Sequence, residues 1–230
     1  MKHLVTYIFP WLVGLLAMVS CKKDGTSSDQ QDNLANTLLY GHFTDDALSD
    51  DNRLFAIRLH EGGTFTWYDA VNTFSGEWSQ EGNKVDFRFT EGAFNRWSAT
   101  RNRDELVDII GPTPANYFHL VSIRIAGTSG PNPLKGTEWR EINENNRQLT
   151  IFPSQPEGLM QVVGVRLRSL GSEGLIFKQV DRQVLLPNDS YAGQYITMLI
   201  THGNFLVMYC YEPTPYSGMS KFTTYTYLLK

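Results

Sequence analysis

The sequence predicts a mainly β protein, an antiparallel barrel or sandwich, set behind a leader and a polar tether. Three observations carry that reading. Apolar segments are short and alternate with polar residues at period two, the pattern of strands with one buried and one wet face. Tight turns rich in glycine separate them. Beyond the leader, no segment sustains helical periodicity over the ~10 residues that a structural helix needs.

The leader spans residues 1–20. Lys2 and His3 give a positive start, and an apolar run follows from Leu4 to Val19, interrupted by Thr6, Pro10 and Gly14. The run falls short of the ~20 residues a membrane-spanning helix prefers. It ends in Leu16-Ala17-Met18-Val19-Ser20-Cys21, with small residues where a signal peptidase cuts. A small residue directly before Cys, with an aliphatic residue upstream, resembles the lipobox of bacterial lipoproteins. That resemblance implies cleavage before Cys21, acylation of its thiol and new amino terminus, and anchoring by lipid. Two or more acyl chains hold a protein stably at a membrane, at about 0.8 kcal/mol per buried methylene. Residues 21–36, opening Lys22-Lys23-Asp24-Gly25-Thr26-Ser27-Ser28, have too little apolar content to offset the entropy of ordering and read as a flexible tether. Lys22, rather than Asp, after the acylated Cys favours the outer membrane, by resemblance to lipoprotein sorting in Gram-negative bacteria.

The first β domain is expected over 37–127. Tyr40-Gly41-His42-Phe43 opens it, and an acidic run over 45–52 follows. Phe55, Ile57 and Leu59 alternate with Ala56, Arg58 and His60, and Gly62-Gly63 turns the chain into Thr64-Phe65-Thr66-Trp67. Trp78 leads through the Gly82-Asn83 turn into Val85, Phe87 and Phe89, which alternate with Asp86, Arg88 and Thr90. Residues 97–100 and 106–110 read as a further pair, although the second segment also fits a short helix because its apolar residues cluster without strict alternation. Residues 117–125 form the last strand of this half.

Gly127-Thr128-Ser129-Gly130-Pro131-Asn132-Pro133 is the clearest boundary in the chain. A second β domain follows over 134–230, with strands expected at 148–152, 160–167, 174–180, 191–200, 204–211 and 222–229. Turns fall at Pro156-Glu157-Gly158, residues 171–174, residues 187–189 and His202-Gly203-Asn204. The halves look loosely alike: Gly136-Thr137-Glu138-Trp139 opens this one as Tyr40-Gly41-His42-Phe43 opens the first, and each holds a Gly-Asn turn. One large β domain or two smaller ones would each fit the length.

Composition narrows the chemistry. The formal net charge is −4 and no basic stripe occurs, which argues against a nucleic-acid partner. The chain has two cysteines, so a lipidated Cys21 leaves Cys210 without a disulfide partner. Cys210, in the apolar run 205–211, reads as a small buried residue. No His-Glu-x-x-His helix, Gly-x-Ser-x-Gly elbow or phosphate-binding glycine loop is present. His42, His60, His119 and His202 are scattered singly and predict no metal site. The run 45–52 lacks the alternating oxygen ligands and glycine of a calcium loop and reads as solvated. Glu77, Asp86 and Glu91 give no carboxylate pair that singles itself out for glycoside hydrolysis. No catalytic residue and no cofactor is therefore expected.

Aromatic residues make up 13% of the chain. Core filling is their ordinary role in a small β domain, and a stacking platform for sugars is the functional alternative. Trp67-Tyr68 and the Tyr209/Tyr211 pair are the candidate ligand-binding residues, because adjacent strand residues cannot all face one interior.

The Tyr40-Gly41-His42-Phe43 opening, Gly63-Thr64-Phe65, Gly76-Glu77-Trp78-Ser79 and the Gly-Asn turns look like those of bacterial lipocalin-like lipoproteins. The resemblance is best over 35–125, weaker over 134–230, and implies two lipocalin-like β domains in tandem. It lacks a clear C-terminal helix and the matching loop motifs, so an interior ligand cavity does not follow from it. The expected function is that of a non-catalytic lipoprotein of the Gram-negative cell outer membrane, facing the periplasm or the surface. Its expected partners are the membrane through the anchor and a glycan, a small apolar ligand or an envelope protein. A structural accessory subunit, or a hydrolase without a recognisable motif, is the alternative.

Overall fold

A computed structural model describes residues 33–44, 53–70, 72–90, 96–111, 119–126, 134, 136–142, 148–164, 174–188, 196–213 and 220–230. The leader, Cys21, most of the tether, the acidic run, Glu91 and the 127–133 boundary lie outside the described residues.

The described chain contains sixteen strands and no helix. The first eight are β1 (Leu38–Thr44), β2 (Arg53–Leu59), β3 (Thr64–Tyr68), β4 (Thr73–Glu81), β5 (Lys84–Phe89), β6 (Arg96–Asn102), β7 (Glu105–Ile110) and β8 (His119–Ala126). The second eight are β9 (Thr137–Glu141), β10 (Gln148–Pro153), β11 (Leu159–Val163), β12 (Leu175–Asp181), β13 (Val184–Pro187), β14 (Ile196–His202), β15 (Phe205–Pro213) and β16 (Ser220–Leu229). Each set closes into an antiparallel barrel of sequential neighbours, β8 returning to β1 and β16 to β9. The fold is thus a pair of barrels in tandem, as the resemblance implies, and not a sandwich.

Alternation puts one face of each strand inside. In the first barrel Phe55 stacks on Trp67 at 4.2 Å and Phe87 on Trp97 at 3.7 Å, with Phe43, Phe65 and Phe89 packed edge-on around them. In the second, Trp139, Leu149, Ile151, Phe177, Leu206, Met208 and Cys210 fill the interior. Side chains occupy these interiors as they do in other small barrels.

The barrels repeat more than their topology. Leu34 and Leu134 are both fully buried at the entrance to a first strand. The Thr37 amide and hydroxyl both donate to the Leu34 carbonyl, at 3.1 and 2.5 Å, and Thr137 repeats this on Leu134 at 3.3 and 2.6 Å. Asn36 and Gly136 take the same left-handed φ, 63° and 80°. Leu34, inside the segment read as tether, is thus part of the packed unit. The two Gly-Asn turns are not counterparts, however: Gly82-Asn83 joins the fourth and fifth strands of its barrel, Gly203-Asn204 the sixth and seventh. The counterpart of Gly203, at φ 57°, is Arg103, at φ 58°.

Residues Asn33–Lys230 form one compact unit. Strands β1 and β2 are buried on both faces, because their outward residues Leu38, Tyr40, Leu54 and Ala56 meet Val184, Met198, Ile200, Val207 and Tyr209 of the second barrel. Inside this shared core Arg58, 6% exposed, forks onto Asp181 at 2.9 and 2.5 Å. Its remaining donors reach Gln183 Oε1 and the Asn36 carbonyl, both at 2.9 Å. Gln183 Nε2 in turn donates to the Thr201 carbonyl.

Candidate functional site

The seventh and eighth strands of the two barrels differ, and the difference creates the site. In the second barrel β15 and β16 stay paired from Phe205↔Leu228 to Pro213↔Ser220. In the first, the ladder between β7 and β8 holds only Glu105↔Arg124 and Leu106↔Ile123. Two bulges explain its early end. Between Ser98↔Ile110 and Thr100↔Val107, β7 carries one residue more than β6, with Asp108 at φ 50°. Between His42↔Ser122 and Phe43↔Leu120, β8 carries Val121 as its extra residue against β1. Continued past Leu106↔Ile123, the register would set Asp108 opposite Val121, so the bulges face one another. Bulges bend a strand and end pairing, and they recur at barrel rims and binding sites.

The opened seam forms a groove of about 980 Å³ between the barrels. Val107, Ile109, Leu120 and Val121 line the splayed strands, with Leu106 and Ile123 of the barrel core beneath them. The second barrel supplies the facing wall with Phe205, Val207, Thr224 and Thr226. Tyr40, Gly41 and His42 of β1 form the floor. Gly41 is required there, since a Cβ would sit 1.7 Å from the Ser122 carbonyl oxygen. A volume near the top of the usual 300–1,000 Å³ range and a mixed lining are what small-molecule sites show.

Polar groups gather at the closed end. Arg124 is paired in register with Tyr40 on one side and Glu105 on the other. The Tyr40 hydroxyl is 3.0 Å from His202 Nδ1 on the second barrel. His42 bridges the barrels, Nδ1 lying 3.3 Å from Ser122 Oγ and Nε2 3.4 Å from Thr224 Oγ1, with its ring edge-on to Tyr209. Burial, and then the Arg124 charge, push both histidines below the ordinary imidazole value. Burial raises Tyr40. All three thus favour their neutral forms at neutral pH and serve as hydrogen-bonding groups beside the Arg124 cation. A smaller polar pocket of about 480 Å³ continues this end, lined by Asn102, Arg103 and Asp104 together with Glu105, Arg124 and His202. Among the described residues no group of three His, Cys, Asp or Glu side chains is placed to hold a metal ion.

The aromatic candidates lie elsewhere. Trp67 is buried in the first barrel with its indole N–H on Asp69 Oδ2 at 2.9 Å. Tyr68 and Tyr209 are buried in the core shared by the barrels, 8% and 1% exposed. None of the three presents an open ring face. Tyr211 belongs to β15, paired with Phe222, and its side chain is outside the described residues. Adjacent aromatics do face opposite ways, as the alternation requires, but the outward face meets a second barrel rather than water. The groove residues Arg124, His42, His202 and Tyr40 carry no local motif and come together only through strand pairing and barrel docking. No protein-family model matches the chain, and neither the curated proteins nor the solved structures give a match to it.

Proposed function

We propose that this chain is a non-catalytic lipoprotein of the Gram-negative outer membrane, anchored through Cys21, that binds a ligand in the groove between its two barrels. The observation that carries the binding site is the opened β7–β8 seam. The equivalent strands of the second barrel stay zipped, so the opening is particular to the first barrel rather than inherent in the architecture. The packed barrel interiors support a site outside them. The Ser20-Cys21 junction and the polar segment after it support the anchor.

A docked envelope protein is the second reading, and one observation favours it. Phe205 and Val121 are 42% and 53% exposed along the groove, and Leu228 and Ile142 lie beside Phe205 on the outer wall. Apolar side chains gathered this way mark interaction surfaces.

Labelled palmitate in cells tests the anchor. The wild-type chain takes up label and fractionates with the outer membrane, whereas Cys21→Ala takes up none. Equal label in both proteins would refute anchoring at this cysteine. In the same cells, cross-linking from a photoactivatable residue replacing Val121 separates the two readings: a protein adduct supports the docked subunit, and an adduct of lipid or metabolite mass supports the ligand.

A further inference from the structure

We infer that the groove takes an extended segment of another polypeptide, which adds as a strand to the edges that β7 and β8 leave open. The inference rests on the binding function proposed above and identifies the occupant. Its first ground is the main chain. Past Leu106↔Ile123 the strands continue over 107–110 and 119–122, and among the described residues these stretches pair on one side only, β7 with β6 and β8 with β1. Each therefore turns main-chain N–H and C=O groups to the seam, along about 13 Å at ~3.3 Å per residue. An extended polypeptide matches such a row of donors and acceptors. In this mode of recognition main-chain bonds supply affinity and side-chain contacts supply specificity. β7 and β8 run in opposite directions, so the added segment lies antiparallel to one and parallel to the other, as strands do in mixed sheets. Sheets commonly blunt open edges with bulges, lysine or proline. The bulges are present here, but Val107, Ile109, Leu120 and Val121 stand beside them, and these side chains leave the edges receptive.

The second ground is the pair of walls. Successive side chains of a strand point to opposite faces. One face of the added segment meets Ile109 and Leu120, which are partly buried against the core of the first barrel. The other meets Phe205, Val207, Thr224 and Thr226 of the second barrel. None of these six is charged, and aromatic and β-branched side chains are the ones that pack well on a neighbouring strand. The one carboxylate on either open edge is Asp108, exposed at the bulge and in no ion pair among the described residues. The segment so defined has aliphatic or β-branched residues at alternate positions and a lysine or arginine beside Asp108. A simple alkyl chain would leave both main-chain edges unanswered.

The test uses the full-length protein in its native membranes. A photoactivatable residue replaces Val107 or Val121, one on each open edge, and the adducts are mapped by mass spectrometry. Both positions are expected to cross-link to the same short segment of one protein. That segment is then synthesised twice, once unmodified and once with alternate amides N-methylated, which removes donors and keeps the side chains. The unmodified peptide should suppress the adduct and slow amide exchange over 107–110 and 119–122. The methylated peptide should bind about thirtyfold more weakly, the loss of two main-chain hydrogen bonds. Deleting Asp108 and Val121 together lets β7 and β8 pair with each other and should abolish cross-linking from position 107, an unchanged unfolding midpoint verifying that the variant is folded. Equal binding by the two peptides would overturn recognition through the main chain, as would adducts scattered over many segments. Adducts of lipid or metabolite mass would overturn the polypeptide occupant while leaving the groove as a binding site. No adduct from either position would overturn the groove as well.

Discussion

At the scale of single residues, the two turns that match between the barrels differ in one side chain. Gly203 and Arg103 occupy the same left-handed position in the loop between the sixth and seventh strands. Glycine adopts that φ freely, whereas an L side chain pays for it in contact between Cβ and the backbone. Arg103→Gly removes about 1–2 kcal/mol of that strain and returns about half of it as lost unfolded-state rigidity. Net stabilisation of roughly 0.5–1 kcal/mol is expected, read as a raised urea midpoint at constant slope. A lowered midpoint would mean that the Arg103 side chain contributes more than its backbone costs. His42 and His202 lead to a second prediction. Their imidazoles sit below the ordinary value because burial and Arg124 disfavour the charged ring. Other titratable groups near them are Tyr40, Tyr209, Asp104 and Glu105. A depressed histidine pKa means that the folded state resists protonation. Its share of stability is therefore fully present above the unfolded value of about 6.5 and is lost as pH falls towards the folded value. Unfolding midpoints should fall from about pH 7 to about pH 5, and the slope should flatten in a His42→Gln, His202→Gln double variant. If both proteins keep the same slope, these histidines are not its source.

Strands show most plainly which features could be read beforehand. Where alternation is unbroken, as in Val85-Asp86-Phe87-Arg88-Phe89, expectation and structure coincide, because period two has one solution. Residues 106–110 fitted both strand and helix for a reason now visible. The extra residue Asp108 shifts the phase, so Leu106 and Ile109 both reach the barrel core, and Leu106, Ile109 and Ile110 fall at the i, i+3, i+4 spacing of a helix. The site was hidden by the same feature that makes it, since a bulge disguises its own strand. Val184–Pro187 escaped notice differently: β13 has four residues, with Val184 and Leu185 both buried, and shows no alternation to find. The facing bulges lead to a prediction about elements. Deleting Asp108 and Val121 together restores the register of β7 with β6 and of β8 with β1. It also leaves the β7–β8 register intact, because each loses the residue opposite the other. The β7–β8 ladder should then lengthen, with slower amide exchange across 107–110 and 119–123 and loss of the groove. Unchanged exchange would place the cause of the opening outside the bulges.

The joint between the barrels is the level at which sequence was least informative. Leu38, Tyr40, Leu54 and Ala56 could be read only as the second face of a strand, and nothing local says whether water or another barrel covers it. Trp67-Tyr68 shows the consequence: one ring enters the barrel and the other enters the joint, so neither is free for a ligand. The polar centre of that joint, Arg58 with Asp181 and Gln183, has side chains 7% and 11% exposed for the ion pair itself. Removing one member of such a pair strands a buried charge and costs about 3–5 kcal/mol, while replacing both by apolar groups of similar size is often close to neutral. Asp181→Ala is therefore expected to lower stability by about that amount, and Arg58→Met with Asp181→Leu by much less, so a double-mutant cycle should show strong coupling. If the pair also sets the orientation of the barrels, the apolar double variant will be stable but less uniquely docked. The groove borders this joint, and cross-linking from a photoactivatable residue replacing Val121 should fall in the double variant even where its unfolding midpoint is wild type. Undiminished cross-linking at an unchanged midpoint would show that apolar packing around Leu38, Met198 and Tyr209 suffices to align the barrels. The ion pair would then be a tolerated feature of the joint rather than the element that holds the two walls of the groove in place.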